Sequence, residues 1–438
     1  MKTFYIQTLG CKVNQYESDG ISGNLEKQGW SKSDIKKGAD VFIINTCAVT
    51  SKAGMQSRQA IRKIIRENPD AKVIVTGCHA QTDPDQINQI QDIDQIICHK
   101  DKIKIAQKIT SIYEQNIDLT FTQADHSKAN TFHSFENTVK GDMTRAYLKI
   151  QDGCDAFCTY CIVPYARGSS VSMPENEVFN HLTELNRSGF KEIIVTGIHT
   201  GMYGLDFKKK TSLTQLLEKI NIKKPVHRLR LSSIESTEIS NGLIQLAKPG
   251  NILCNHFHIP LQSGDDDILK KMKRPYTAAL FEDIVLKIVD QIPNVGIGVD
   301  ILVGFPSETD EQFENTFKLI EKLPISYLHI FPFSARKGTP AFYFKPKVDS
   351  RVIKERTLRM RKLDTIKRKA FIHANMNQPL EGIVQQKIDT KTGMLKAITS
   401  NYLTVFIDYE HGLQGKTIDL IIKRCHKDLT LKGKIIQY

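Results

Sequence analysis

Short apolar runs alternate with helix-period stretches from Thr3 to Phe331, and this alternation restricts the chain to parallel sheets covered by helices. In the first part, residues 3–9, 41–45 and 73–76 read as strands, and residues 16–28 and 51–67 as helices. After a polar stretch the pattern resumes. Strands are predicted at 146–151, 192–196, 228–232, 256–259, 296–302 and 327–331, with helices at 175–188, 213–220, 238–247, 278–291 and 309–323. Six units fall short of the usual eight, so a partial (β/α)6 barrel is expected. Residues 350–375 read as one long basic helix. Ile353, Met360, Leu363, Ile366 and Ala370 share its inner face, and Arg and Lys crowd the rest, as a solvated face or as phosphate contacts. From Gln378, five short strands at 380–385, 394–398, 405–409, 417–423 and 431–435 fit a small β-barrel.

The fold class is thus α/β: an N-terminal parallel α/β sandwich, a partial barrel and a C-terminal small β-barrel. At 438 residues the chain is too long for one core. The expected division is 1–125, a polar linker at 126–141, 142–370 with the basic helix at its end, and 371–438.

Lys plus Arg number 61 against 48 for Asp plus Glu, a net charge of +13 that favours a polyanionic partner such as RNA. No run of about eighteen apolar residues is present to span a membrane. Residues 1–6 lack the apolar stretch of a signal peptide. A cytoplasmic protein is expected, and its nine cysteines are then better read as thiols or metal ligands than as disulfides. Three of them, Cys11, Cys47 and Cys78, fall just past predicted strand ends. Strand carboxyl ends form the ligand crevice of an open α/β sheet, so these distant thiols would meet at one edge.

The loop Gly153-Cys154-Asp155-Ala156-Phe157-Cys158-Thr159-Tyr160-Cys161 follows the first barrel strand and spaces its cysteines Cys-x3-Cys-x2-Cys. Three thiolates leave one iron of a four-iron cubane without a protein ligand. That iron can chelate the amine and carboxylate of a methionine, and the cluster can deliver one electron at low potential. Together these describe reductive cleavage of S-adenosylmethionine (SAM) to methionine and a 5′-deoxyadenosyl radical. A structural zinc site would want a fourth ligand, and none lies at suitable spacing.

The loop in this context resembles the radical SAM superfamily and, more narrowly, its methylthiotransferase family. The resemblance covers nearly the whole chain and includes a C-terminal barrel of the RNA-binding TRAM type. It implies a second, auxiliary cluster on Cys11, Cys47 and Cys78, hence two [4Fe-4S] clusters and SAM as cofactors. The contexts Leu9-Gly10-Cys11, Asn45-Thr46-Cys47 and Thr76-Gly77-Cys78 match the family's. Thr8-Leu9-Gly10-Cys11-Lys12-Val13-Asn14-Gln15 and Asn45-Thr46-Cys47-Ala48-Val49-Thr50 look like the branch acting on N6-threonylcarbamoyladenosine. The isopentenyladenosine enzymes typically carry Gln-Met in place of Lys12-Val13, and the ribosomal-protein branch Pro-Lys.

The implied reaction is methylthiolation of C2 of N6-threonylcarbamoyladenosine at position 37 of tRNA, with two SAM per product. Its implied partners are the anticodon stem-loop and an external electron donor, with the chain a monomer. The alternatives are isopentenyladenosine or a ribosomal-protein aspartate as target, and a non-catalytic RNA-binding iron–sulfur protein. SAM contacts are expected at the carboxyl ends of the barrel strands. Gly197 and His199 sit where the superfamily grips the methionine amine, although His199 is equally a packed loop residue. Ser233 and Glu235 follow the third strand, with Glu235 set to bond ribose hydroxyls or to form a salt bridge. Gln262 follows the fourth, and Arg274 suits the methionine carboxylate. Asp300 is either a contact or a buried, hydrogen-bonded strand residue. Phe333 either stacks on the target base or closes the barrel, and Tyr402 offers an aromatic at the rim of the RNA-binding barrel.

Overall fold

A computed structural model describes residues 2–115, 131–135 and 144–437. The N-terminal part is a five-stranded parallel sheet in the order β2-β1-β3-β4-β5, with β1 Thr3–Thr8, β2 Ser31–Lys32, β3 Val41–Thr46, β4 Lys72–Gly77 and β5 Gln95–Ile97. Helices α1 Lys12–Lys27 and α2 Ser51–Glu67 are among those that cover it. Central β3 is buried along its whole length, which is why it reads as a continuous apolar run rather than an alternating one. Thr50 caps α2 by accepting from the Ala53 N–H at 3.0 Å. β2 and β5 escaped the sequence reading because two or three residues cannot display a period.

The second part holds six parallel barrel strands: β6 Arg145–Lys149, β9 Glu192–Thr196, β10 Arg228–Leu231, β11 His256–Gln262, β12 Gly296–Val303 and β13 Tyr327–Pro332. A two-stranded ribbon, β7 Gln151–Asp152 with β8 Val171–Ser172, brackets the cysteine loop. Bridges Leu229↔Leu253 and Ser233↔His258 join the two halves, giving the order β6-β9-β10-β11-β12-β13. The barrel is therefore partial, as expected, and is open between β6 and β13. Helix α1 packs against β6 beside this opening.

Of the segment read as a linker, residues 126–130 and 136–141 lie outside the described residues. Within the described part, Phe135 is buried and edge-on to Tyr16, with ring centroids 6.2 Å apart. A Cβ at Gly20 would come within 2.2 Å of that ring. This stretch is not a purely polar connector: one aromatic anchors it to α1.

The last part is a closed five-stranded barrel, β14 Pro379–Val384, β15 Leu395–Thr399, β16 Thr404–Ile407, β17 Thr417–Cys425 and β18 Leu431–Gln437. Its β15–β16 turn plugs the amino-terminal end of the partial barrel. Arg230 donates to the carbonyls of Thr399 and Ser400 at 2.9 and 2.8 Å, and Arg228 to that of Ile398 at 3.0 Å. Both arginines also bind Glu192, which is fully buried. Tyr402 lies over His256, with ring centroids 4.5 Å apart, and under the Arg230 guanidinium. The expectation of a rim aromatic for RNA is thereby corrected: the polar interior of the barrel base takes this ring instead.

The long helix is Ser350–Ala374, and many of its cations are engaged within the protein. Arg356 binds Glu308 and Asp310 at 2.7 Å each, Arg359 pairs with Glu314, and Arg368 with Asp364.

Gly298 on β12 faces Tyr327, and a Cβ there would fall 2.2 Å from the phenol ring. His256 and His258 hold the Tyr327 hydroxyl at 2.9 and 3.3 Å, so the ring cannot step aside. Gly298→Ala should cost about 1–3 kcal/mol through overpacking. A lowered midpoint in thermal unfolding checks this, and an unchanged midpoint would mean that the ring relocates.

Candidate active site

The three N-terminal cysteines follow β1, β3 and β4, whose carboxyl ends lie side by side because the strands are parallel neighbours. Two glycines make the approach possible. Gly10 has φ +105° and a Cβ on it would sit 2.8 Å from Cys47 Sγ. Gly77 has φ +102° and its Cβ would collide with the Thr46 carbonyl oxygen at 2.3 Å. Asn14 fixes the same corner by donating to the carbonyls of Leu9 and Thr46 at 2.7 and 3.1 Å. Cys11, Cys47 and Cys78 share one electrostatic neighbourhood. Burial, with the charges of Cys78 and Cys11, pushes the Cys47 thiol up to about 11.

The second trio lies in the loop after β6 and β7. Burial, with Cys158 and Cys154 alongside, pushes the Cys161 thiol up to about 12. In both trios the thiols oppose one another's ionisation, so a cationic centre is needed before all three become thiolates. An iron–sulfur cluster fits this donor set. A mononuclear zinc fits it less well. Tetrahedral Zn–S bonds of about 2.3 Å hold sulfurs about 3.8 Å apart, and among the described residues no group of three ligand atoms within 4.8 Å of one another includes a cysteine.

The expected SAM contacts divide. His199 Nδ1 is 3.5 Å from Cys154 Sγ, and its Nε2 is 2.7 Å from Glu238. Gly197 and the His199 N–H lean on Gln151, whose Oε1 accepts that N–H at 2.7 Å. Arg274 donates to Cys158 Sγ at 3.3 Å and to the Tyr276 hydroxyl at 3.0 Å, and forms an ion pair with Glu235. Two residues expected to grip different parts of SAM thus hold each other beside the loop. The exposed Ser233 accepts through its carbonyl from Thr200 at 2.7 Å. Gln262 ends β11 at φ +67°, where the register with β12 shifts.

Asp300 is not grouped with the loop. It accepts from His258 at 2.7 Å and lies 3.3 Å from His329, well inside the barrel. Phe333 packs edge-on to Phe305 with centroids 5.5 Å apart, which favours closure of the barrel over base stacking. Phe331, 41% exposed, is the open aromatic of that strand.

Three contributors were missed from sequence. Gln151 is fully buried and donates to the carbonyls of Asp152 and Gly153 and to the Ser170 hydroxyl, so it organises the cysteine loop as well as the His199 loop. Its only signal was a glutamine between a strand and Gly153-Cys154. Ser232 Oγ is buried at the carboxyl end of β10 with no partner, which suits a polar ligand. Lys12, noted only as subfamily wording, has Arg230, Arg145, Glu192 and Asp300 as its electrostatic neighbours.

The two trios adjoin. Ala48 and Cys78 pack with Ile162 and Ala166, which immediately follow Cys161. Arg167 then reaches across, donating to Asn14 at 2.8 Å, Glu17 at 2.9 Å and Asp152 at 2.8 Å. Ser51 donates through its N–H to the Ser334 hydroxyl at 2.9 Å, and Arg336 binds Asp83 at 3.2 Å, fixing the far side.

Comparison with known proteins agrees with this architecture. Residues 3–98 match the model described as uncharacterized protein family UPF0004, and residues 148–320 match the radical SAM superfamily. The chain is 37% identical to threonylcarbamoyladenosine tRNA methylthiotransferase MtaB of Bacillus subtilis, over 96% of this chain and 94% of the relative. The chain belongs to the radical SAM methylthiotransferase family. Another methylthiotransferase of the MtaB name, from Aquifex aeolicus, is 34% identical over 91% of this chain and 95% of its own length. A tRNA-2-methylthio-N(6)-dimethylallyladenosine synthase from Natranaerobius thermophilus is 31% identical over 100% and 97%. Among solved structures, the radical S-adenosylmethionine methyltransferase TsrM from Kitasatospora setae shares the fold, with TM-score 0.56 and 15% identity over 78% of this methylthiotransferase and 74% of that chain.

Proposed function

We propose that this enzyme transfers a methylthio group to C2 of N6-threonylcarbamoyladenosine at position 37 of tRNA, consuming two SAM per product. The observation that carries this reading is the juxtaposition of two thiol trios, one at the edge of each α/β unit, across the contact of Ala48 and Cys78 with Ile162 and Ala166. The relatives named for the threonylcarbamoyl nucleoside, at 34–37% identity, support the substrate.

In this proposal Cys154, Cys158 and Cys161 hold one [4Fe-4S] cluster, and Cys11, Cys47 and Cys78 the other. With both clusters and SAM bound, the chemistry supplied is one-electron cleavage of the sulfonium at the loop and sulfur delivery from the N-terminal side. The protein's own part is positioning. His199 and Arg274 orient Cys154 and Cys158. Gln151 ties the two loops together, and the seam between the trios keeps the reacting groups in one cavity.

The substrate is tRNA, recognised at its anticodon stem-loop. The exposed Lys423, Arg424, Lys427 and Lys434 of the closed barrel supply phosphate contacts. Lys432 is drawn to Asp408 at 2.9 Å. An external donor supplies electrons, and the chain acts as a monomer in the cytoplasm. No described helix is long and apolar enough to cross a membrane. The segments 1–125 and 142–370 are assigned as the catalytic units, 126–141 as their linker and 371–438 as the RNA-binding barrel.

Nucleoside mass spectrometry of tRNA from a deletion strain tests the reading. The methylthio group should vanish from the threonylcarbamoyl nucleoside and persist on isopentenyladenosine. Persistence on the threonylcarbamoyl nucleoside would overturn the substrate assignment.

A further inference from the structure

Helix α1 begins directly after Cys11 and packs along β6, so its first turn borders the opening between β6 and β13. Lys12 is the first residue of that helix. Its ammonium shares a field with Arg145 of β6, Glu192 of β9, Arg230 of β10 and Asp300 of β12, and His256 of β11 senses it in turn. A group that feels side chains from five strands at once is inside the barrel, having entered through the gap.

The acids it meets there are already engaged. Glu192 binds Arg230 through Oε1 at 2.9 Å and Arg228 through Oε2 at 2.8 Å, with Arg145 3.4 Å away. Asp300 is held by His258 and His329. Lys12 itself makes no hydrogen bond or ion pair among the described residues. The lumen therefore carries one ammonium without a counter-ion, in a region where cations exceed anions, and burial of an unpaired charge is costly. Such a site is incomplete until an anion enters.

Resting on the substrate reading above, we propose that Lys12 is the specificity residue of the target cavity and binds the threonine carboxylate of the N6-threonylcarbamoyl group. That carboxylate is the charged part of the modified base, and a neutral alkyl substituent has nothing to offer the ammonium. Because Lys12 follows Cys11, the anchor for the substituent and the N-terminal thiols ride on one short segment. A base held by its carboxylate is thereby registered against the sulfur-delivering side. His329 and Phe331, both exposed on β13, flank the same opening and cover the rest of the base.

The test uses reconstituted enzyme and anticodon stem-loop RNA carrying either N6-threonylcarbamoyladenosine or its threonine methyl ester. Wild-type enzyme should show a KM about ten- to a hundredfold lower for the acid than for the ester, the range of a charge-assisted hydrogen bond. Lys12→Met should treat acid and ester alike, and Lys12→Arg should recover part of the preference for the acid. Equal KM values in the wild type would overturn the proposal, and that comparison needs no variant. So would a Lys12→Met enzyme that keeps the full preference. A variant that weakens acid and ester equally would assign Lys12 to an RNA phosphate and also overturn it. Failure of the substrate reading looks different: wild-type enzyme would methylthiolate neither threonylcarbamoyl RNA while accepting isopentenyladenosine RNA.

Discussion

Cys158→Ala is expected to abolish 5′-deoxyadenosine formation, whereas Cys47→Ala should leave it intact and stop methylthiolation. The asymmetry follows from where the two thiols sit. Cys158 belongs to the loop that Arg274 and His199 brace, with Arg274 donating to its sulfur at 3.3 Å. A loop of three cysteines has no spare ligand, so loss of one leaves two thiolates for the cluster that must reduce SAM. Cys47 stands at the end of β3, within the other trio, and its partners are Cys11 and Cys78. Its replacement removes ligation on the sulfur-delivering side alone. Anaerobic incubation with SAM and reductant, followed by chromatography for 5′-deoxyadenosine and for the methylthio nucleoside, separates the two. Iron per chain should fall in both variants. Methylthiolated product from Cys47→Ala would refute an essential auxiliary cluster, and 5′-deoxyadenosine from Cys158→Ala would refute the assignment of the loop.

Arg167→Met should destabilise the protein by about 3 kcal/mol or more, at the lower end of the range for breaking a buried ionic network. The guanidinium is buried and bonds Asn14, Glu17 and Asp152, so one planar fork links α1 to the ribbon that carries the cysteine loop. Lys102 and Lys149 remain at 2.5 and 2.6 Å from Glu17 and Asp152, which keeps the loss from being larger. Arg167→Lys should not restore stability, because an ammonium cannot span the three acceptors. Burial opposes ionisation of Glu17, but Arg167, Lys102 and Lys149 overcome it and hold the carboxyl well below its usual range. The folded-state value is depressed. The network therefore stabilises the fold above the ordinary carboxylate range and is lost as the pH falls through the depressed value. Denaturant unfolding at neutral and acidic pH reads both effects. A wild-type midpoint in Arg167→Met at neutral pH would show that the seam is held elsewhere.

Some of the chain was legible because its signals are local. The β/α alternation, the six barrel strands, the span 350–375 and the five short C-terminal strands all reappear within a few residues. The short strands β2 and β5 left no trace, and Phe135 could not be told from loop residues until Tyr16 and Gly20 stood beneath it. At the site, the loop cysteines were readable from spacing, and Cys11, Cys47 and Cys78 from their places after strands. The pairing of Arg274 with Glu235, the reach of His199 to Cys154 and Glu238, and the orphaned Ser232 hydroxyl were not. Tyr402 was misplaced for the same reason: its partners His256 and Arg230 lie more than a hundred residues away.

Residue type and short-range spacing alone determined that this chain builds two α/β units and a small barrel, and that it offers two sets of three thiols. Hydrophobic periodicity and ligand spacing are properties of neighbouring residues, so they survive in a linear string. Only the tertiary structure decided that the two sets adjoin, that Arg167 locks the seam, that the third unit plugs the barrel base, and that Lys12 enters the lumen. Those outcomes depend on side chains from separate strands meeting in a buried, poorly solvated space. There the interaction is set by distance and partner, and no sequence interval records it.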